Sequence, residues 1–346
     1  MNQYLCFGNQ RKNKMKCLVT GGAGYIGSHV SLRLIEEGHE VDIIDNLSTG
    51  CTEALECLKR NGWEGKFLES NIGDCRKVSQ LLQSNSYDMC FHFAAHTYVG
   101  ESVRKPIMYF QNNLSILPEF LSSLMFHGVN NFVFSSSSGI YGKQKYPRPI
   151  KETDIIDPIN PYAMTKYWGE EILKSCGAKY PDFKYTCLRY FNVVGNNMEG
   201  KIGDYVYENK ETIIPMCLSA AAGIRPSIKI NGTDYNTKDG TCIRDYIHVD
   251  DLVNAHIAIM DKLDNKPYNV GNGVGYSVRE VVNSCLKITG KGTDVEEGIR
   301  RPGDPEYLCA DASAFTEKTG WVPKIFDIDD ITKSAWNWIK ITKSIP

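Results

Sequence analysis

The sequence predicts an α/β protein, a doubly wound parallel sheet followed by a smaller mixed α/β domain. From Met15 onward, short β-branched or aromatic runs alternate with longer stretches of helical spacing, the pattern of a parallel sheet covered on both faces. The first of these runs passes directly into a glycine-rich turn. After about Asn192 the regularity fades into Gly-, Asn- and Asp-rich segments, the texture of a loop-rich domain that holds a ligand.

The elements follow in order. Residues 1–14 ("MNQYLCFGNQRKNK") are polar, lack the apolar centre of a signal peptide and read as a flexible tail. Strand-like runs are "MKCLVT", "EVDIID", "KFLES", "DMCFHFAA", "NFVFSSS" and "KYTCLRYF". Between the first two, Ile26, Val30 and Leu34 recur every four residues and Gly38 supplies a C-terminal stop, completing one βαβ unit. Residues 15–192 are thus expected to form the sheet domain. Residues 193–346 are expected to form mainly the second domain, with "VVGNNMEGKIGD" and "NGTDYNTKDGT" as loops. The run "KPYNVGN", near 267–271, offers a late strand that would return to the sheet.

Lys and Arg total 39 against 41 Asp and Glu, a net charge of −2 without basic clusters, which argues against a nucleic-acid or membrane-surface partner. Twelve cysteines contain no CxxC pair, and several sit in apolar strand runs. Buried free thiols in a reducing, cytoplasmic compartment are expected. His92 and His96 fall where a strand meets a loop, with no third ligand at a telling spacing, so no metal site is expected.

"CLVTGGAGYIGSHV" sets Gly21, Gly24 and Gly27 three apart, after a strand and at the opening of a helix that begins with Tyr25 and Ile26. Glycines there let backbone N–H groups and the positive end of the helix approach a pyrophosphate, as in Rossmann-type dinucleotide sites. Asp45 ends the second strand, where a carboxylate accepts from the adenosine ribose hydroxyls. No arginine follows to take a 2′-phosphate, so NAD is favoured over NADP. A turn cap is the alternative role for Asp45.

"NPYAMTKYWGEE" places Tyr162 and Lys166 one helical turn apart. A phenol with a pKa near 10 is a poor base at neutrality, and a cation one turn away favours its phenolate. Upstream, Ser135 to Ser138 end a strand and offer hydroxyls to orient or pass a proton, or else to satisfy a turn.

Taken together, "TGGAGYIGSH", "DNLSTG", "HFAAHTYVGESV", "NFVFSSSSGIYG", "NPYAMTKYWGEEIL", "LRYFNVVG", "GTCIRDYIHVDDL" and "RRPGDP" closely resemble the UDP-glucose 4-epimerases of the extended short-chain dehydrogenase/reductase group. The resemblance implies Tyr162 as the base, Lys166 as its electrostatic partner and Ser137 as the assisting hydroxyl. It places Asp45 and Asn46 at the adenosine ribose, Asn71 and Ile72 near the adenine, and Phe93, Ala94, Ala95 and Asn112 along the cofactor. Ser135 and Tyr190 would lie towards the nicotinamide. On the sugar-nucleotide side it implies Asn192, Thr212, Ile213, Lys229, Asn231, Arg244, Arg301, Asp304 and Leu308. Paired guanidinium forks suit a diphosphate, although each arginine also suits a surface ion pair.

The chain departs from the group at several of these positions. It has Asn71 where Asp is frequent, Thr97 where some members have Lys, Thr212 in place of Asn, and Asn231 where an aromatic is common. Leu308, of modest size, leaves room for a 2-acetamido group. The implied reaction is reversible inversion at C4 of UDP-glucose and UDP-galactose through a 4-keto sugar and bound NADH, by a homodimer. A 4-epimerase of UDP-GlcNAc, UDP-glucuronate or a UDP-pentose is the near alternative, and a nucleotide-binding sensor the distant one. Ser138 and Gly139 occupy the place where related dehydratases carry an extra acid, which disfavours elimination.

Overall fold

The computed structural model describes residues 14–205, 212–301 and 304–343. The tail expected over residues 1–14 lies outside the described residues except for Lys14, whose ammonium is 2.9 Å from Glu40. Six strands fall on the six sequence runs: β1 (Lys16–Thr20), β2 (Glu40–Asp45), β3 (Phe67–Glu69), β4 (Met89–His92), β5 (Asn131–Ser137) and β6 (Lys184–Tyr190). Beyond them come β7 (Asn192–Val194), β8 (Ser227–Asn231), β9 (Ile243–His248), β10 (Lys266–Val270), β11 (Gly275–Ser277), β12 (Asp294–Gly298) and β13 (Tyr307–Leu308).

Seven strands form one sheet in the order β10-β6-β5-β4-β1-β2-β3, and every neighbouring pair is parallel. Alternate residues of the same strands feed two separate cores. Cys17, Val19, Phe91, Val133 and Leu188 face one side, while Leu18, Cys90, Phe132, Phe134 and Cys187 face the other. Burial on both faces is why these runs are almost continuously apolar. Strand order reverses between β1 and β4, so a crevice opens beyond their carboxyl ends.

Late segments return to this half of the molecule. β10 extends the sheet beside β6, and Leu252, Val253 and Ile257 of helix Val249–Ile259 join the core that contains β1 and β4. The remaining elements make a smaller body. There β9 pairs with β7, β11 and β13, β8 pairs with β12, and helices Ile213–Ala221, Val278–Thr289 and Ile328–Lys343 close over Leu218, Val281, Ile331 and Trp336. Among the described residues no helix is long and apolar enough to cross a membrane. The eleven described cysteines are all free.

Candidate active site

A cavity of about 650 Å³ runs from the glycine turn after β1, past the carboxyl ends of β5 and β6, into the smaller body. Of the site residues named from the sequence, all but Lys166 line it. The exception lies directly behind the wall.

At one end, helix Tyr25–Glu36 begins from Gly24, an N-cap without a side-chain hydrogen bond. Its positive terminus is therefore presented to the cavity without a capping acceptor. A Cβ on Gly27 would come within 2.2 Å of the Gly21 carbonyl oxygen, so the turn closes only with glycine. Asp45 accepts from the Ala23 N–H at 3.0 Å and the Leu47 N–H at 2.8 Å. It fixes the glycine turn while each oxygen retains a second lone pair. Burial raises its pKa. Asn71 accepts from the Gly73 N–H at 2.8 Å, and its amide approaches Asn112 at 3.5 Å across the cavity edge.

The Tyr162–Lys166 helix, Pro161–Lys179, starts on a Pro at its first position, and the Asn160 side chain accepts from the Ala163 N–H at 2.9 Å. Gly169 lets this helix settle on β5. A Cβ there would lie 2.7 Å from the Phe134 ring. The close approach brings Tyr162 within hydrogen-bond reach of Ser137, and the Ser137 oxygen also accepts from the Gly139 N–H at 3.1 Å.

Lys166 is buried one helical turn along from Tyr162. Its Nζ donates to the Ser135 carbonyl at 2.7 Å and lies 5.9 Å from the centroid of the Tyr162 ring. Burial raises the Tyr162 pKa, the Ser137 hydrogen bond alone opposing it, and burial brings Lys166 down to about 7. Burial thus works against the charged form of both groups and opposes the attraction that the four-residue spacing suggests.

Behind the serines lies a buried ionic network that the sequence reading did not name. Arg189, 3% exposed, holds Glu170, 6% exposed, through Nη2 at 2.6 Å and Nε at 3.0 Å. Glu170 also accepts from the Ser136 hydroxyl. Arg189 donates to Tyr141, and Tyr141 donates to Asn269 of β10 at 2.7 Å. Glu170 follows Lys166 by four residues on the same helix, and that spacing was a signal available in the sequence. A π-helical segment, Gln111–Ser115, was less legible; it turns Asn113 to bracket the backbone of His96 at 2.8 and 2.9 Å.

In the smaller body Arg244 donates to Asp304 at 2.5 Å and to its neighbour Ile243's carbonyl at 2.7 Å. Asn231, its amide oriented with oxygen towards Arg301, accepts from that guanidinium at 3.1 and 3.2 Å. Asn192 donates to the Asp245 carbonyl at 3.2 Å. Asp245, also unnamed in the sequence reading, accepts from the N–H groups of Asn272 at 2.7 Å, Gly273 at 2.8 Å and Ala310 at 3.1 Å. It ties three segments together beside Arg244, and burial raises its pKa to about 6. His92 hydrogen-bonds Thr20 at 2.8 Å and stacks on Phe134. Among the described residues no group of three His, Cys, Asp or Glu is placed to hold a metal ion.

A parallel sheet with an uncapped helix terminus at its switch point, and a Tyr–Ser pair backed by a buried lysine, defines a dinucleotide-dependent enzyme that moves protons and hydride at a carbinol carbon. The family is defined more narrowly by comparison. The model of the NAD dependent epimerase/dehydratase family matches residues 17–271, and the chain belongs to that family. A UDP-glucose 4-epimerase of Halalkalibacterium halodurans is 40% identical over 330 residues, covering 94% of this chain and 96% of the relative. A probable UDP-arabinose 4-epimerase of Oryza sativa subsp. japonica is 40% identical over 332 residues, covering 93% and 82%. Among solved structures, a UDP-glucose 4-epimerase from Stenotrophomonas maltophila with bound NAD and formylated UDP-arabinopyranose superposes with a TM-score of 0.91 at 36% identity, covering 95% of this chain and 99% of that one.

Proposed function

We propose that the chain is a UDP-glucose 4-epimerase that interconverts UDP-glucose and UDP-galactose with NAD as its resident cofactor. The observation that carries this reading is the position of the Tyr162–Ser137 pair. It stands between the dinucleotide cradle and the two arginines of the smaller body, in one continuous cavity. The residues fit the cofactor: the Gly24 helix terminus for the pyrophosphate, Asp45 and Asn46 for the adenosine ribose, Asn71 and Ile72 at the adenine, and Ser135 and Tyr190 at the nicotinamide end. NAD supplies, when bound, the acceptor and donor of hydride at C4 of the sugar.

The protein's part is positioning and proton transfer. Tyr162 takes the proton of the C4 hydroxyl, with Ser137 as the bridging hydroxyl, and later returns it. Lys166, behind the Ser135 carbonyl, is close enough to add positive charge to that end of the site. Arg244 and Arg301 anchor the diphosphate while the hexose turns to present its other face. Ser138 and Gly139 bring no carboxyl to C5 or C6, which leaves inversion at C4 as the supported outcome.

A UDP-pentose is the second reading, favoured by the rice relative's name and by the ligand in the Stenotrophomonas structure. Exposed Val103, Ile107 and Trp168, on helices near Tyr162, support a homodimer contact there. The free cysteines support a reducing, cytoplasmic compartment.

The test is to mix purified protein with UDP-galactose, add no NAD, and follow both UDP-glucose and absorbance at 340 nm. Conversion without net absorbance gain is expected. Conversion only of UDP-arabinose or UDP-xylose would replace the substrate, and conversion of no UDP-sugar with NAD present would overturn the reading.

A further inference from the structure

Tyr190 ends β6 in register with Ser137, so it stands beside the Tyr162–Ser137 pair, at the end of the cavity that would hold the nicotinamide of a bound dinucleotide. Its hydroxyl is 2.6 Å from Nε2 of His256, on helix Val249–Ile259. The other ring nitrogen of His256 lies 2.8 Å from the Leu252 carbonyl. A carbonyl only accepts, so Nδ1 carries the proton and Nε2 presents a lone pair. The imidazole is fully buried, packed against Phe93 and Tyr190 with ring centroids 5.1 and 5.5 Å away. Burial lowers its pKa to about 4, so it is neutral at working pH.

This arrangement fixes the polarity of Tyr190. Its one proton is committed to His256, which leaves the oxygen only lone pairs. On the cavity side the oxygen has only an acceptor to offer. We infer that His256, acting through Tyr190, is a positioning residue that selects a dinucleotide whose ring substituent donates a hydrogen bond, the carboxamide of nicotinamide rather than the carboxylate of nicotinic acid. A carboxamide brings two N–H donors, whereas a carboxylate brings only lone pairs and a negative charge to face another lone pair. With an apolar residue at 256, the Tyr190 proton is released to point into the cavity and meet the carboxylate.

The inference rests on the NAD reading above, and calorimetry separates their failures. Protein stripped of dinucleotide is titrated with NAD+ and with its deamido analogue, in which nicotinic acid replaces nicotinamide. The wild type is expected to favour NAD+ by about tenfold or more. His256→Leu and Tyr190→Phe should each bring the ratio towards one. His256→Gln, whose side-chain oxygen can accept from Tyr190, should restore the preference. Tyr190→Phe removes only one oxygen atom and decides the matter if His256→Leu does not fold. An unchanged ratio in the variants, or no preference in the wild type, overturns the inference. Failure of the wild type to bind NAD+ at all overturns the reading on which it rests.

Discussion

At the cofactor end of the cavity the functional side chains rise from strand termini and a long helix and are tied to buried partners; at the nucleotide end they come from loops and short strands and hold one another. Ser137 and Tyr190 end neighbouring strands, and Lys166 is bonded to the backbone of that same edge. Arg244 instead leans on Asp304, and Arg301 on Asn231. The difference follows from the tasks. Proton and hydride transfer tolerate little misplacement, so the groups that perform them belong on rigid elements. Binding a diphosphate asks only that guanidinium groups be near and able to exchange one partner for another.

Replacing Tyr162 by Phe gives the largest effect. Turnover should fall by about 10²–10⁴-fold, the range of a lost proton-transfer group. Dinucleotide content, measured after denaturation, should stay at the wild-type level, because the cradle at Gly21 to Gly27 is untouched. Near-normal turnover would remove Tyr162 from its role as base.

Glu170→Ala strikes the support rather than the chemistry. It leaves Arg189 buried without its carboxylate, a loss on the order of 3–5 kcal/mol in urea unfolding. Turnover should fall as well, because Ser136, between Ser135 and Ser137, loses its acceptor. A stability change below about 1 kcal/mol would mean that water reaches Arg189 and that the network is not structural.

The same division governs what could be read from the sequence. The sheet strands were legible because both faces are buried and each run is short, apolar and bounded, and the glycine turn because its spacing has a mechanical reason. Tyr162, Lys166 and Ser137 were legible by type and spacing. The burial that shifts the pKa values of Tyr162 and Lys166 was not, since it depends on Phe134 and the strands packed around it. Glu170, Arg189, His256 and Asp245 act through partners 19 to 66 positions away in the chain. Apart from the four-residue step from Lys166 to Glu170, no local pattern encodes such contacts. Arg244, in β9, and Arg301 were singled out only through flanking motifs, because in a sequence an isolated arginine has the same appearance whether it meets a phosphate or makes a surface ion pair.

Lys166 offers a pH test of that desolvation in protein stripped of dinucleotide. Burial holds its pKa near 7 against an ordinary 10.5. Between those values the unfolded chain binds a proton that the folded chain does not, so the lysine's contribution to stability is fullest above pH 10.5 and is lost as pH falls towards 7. Lys166→Met lacks this dependence. The variant should therefore gain on the wild type between pH 9.5 and pH 6, by on the order of 2–4 kcal/mol in urea unfolding. Parallel stabilities at the two pH values would show the amine to be hydrated and charged in the folded protein.

Asp304→Ala probes the other end, where the smallest effect is expected. The carboxylate holds the Arg244 guanidinium at the cavity wall, and its partly exposed position lets it yield that guanidinium to a phosphate. Without it the arginine must be ordered by the ligand itself, at a cost of about 0.5–1.5 kcal/mol for one long side chain. The KM for UDP-galactose should rise by several-fold to about tenfold, with kcat and dinucleotide content unchanged. A fall in KM would show that Asp304 competes with the diphosphate instead of preparing Arg244 for it. A fall in kcat at constant KM would be more damaging, since it would mean that the loop-borne end of the cavity shares in positioning the reacting carbon, and the two ends could no longer be assigned separate tasks.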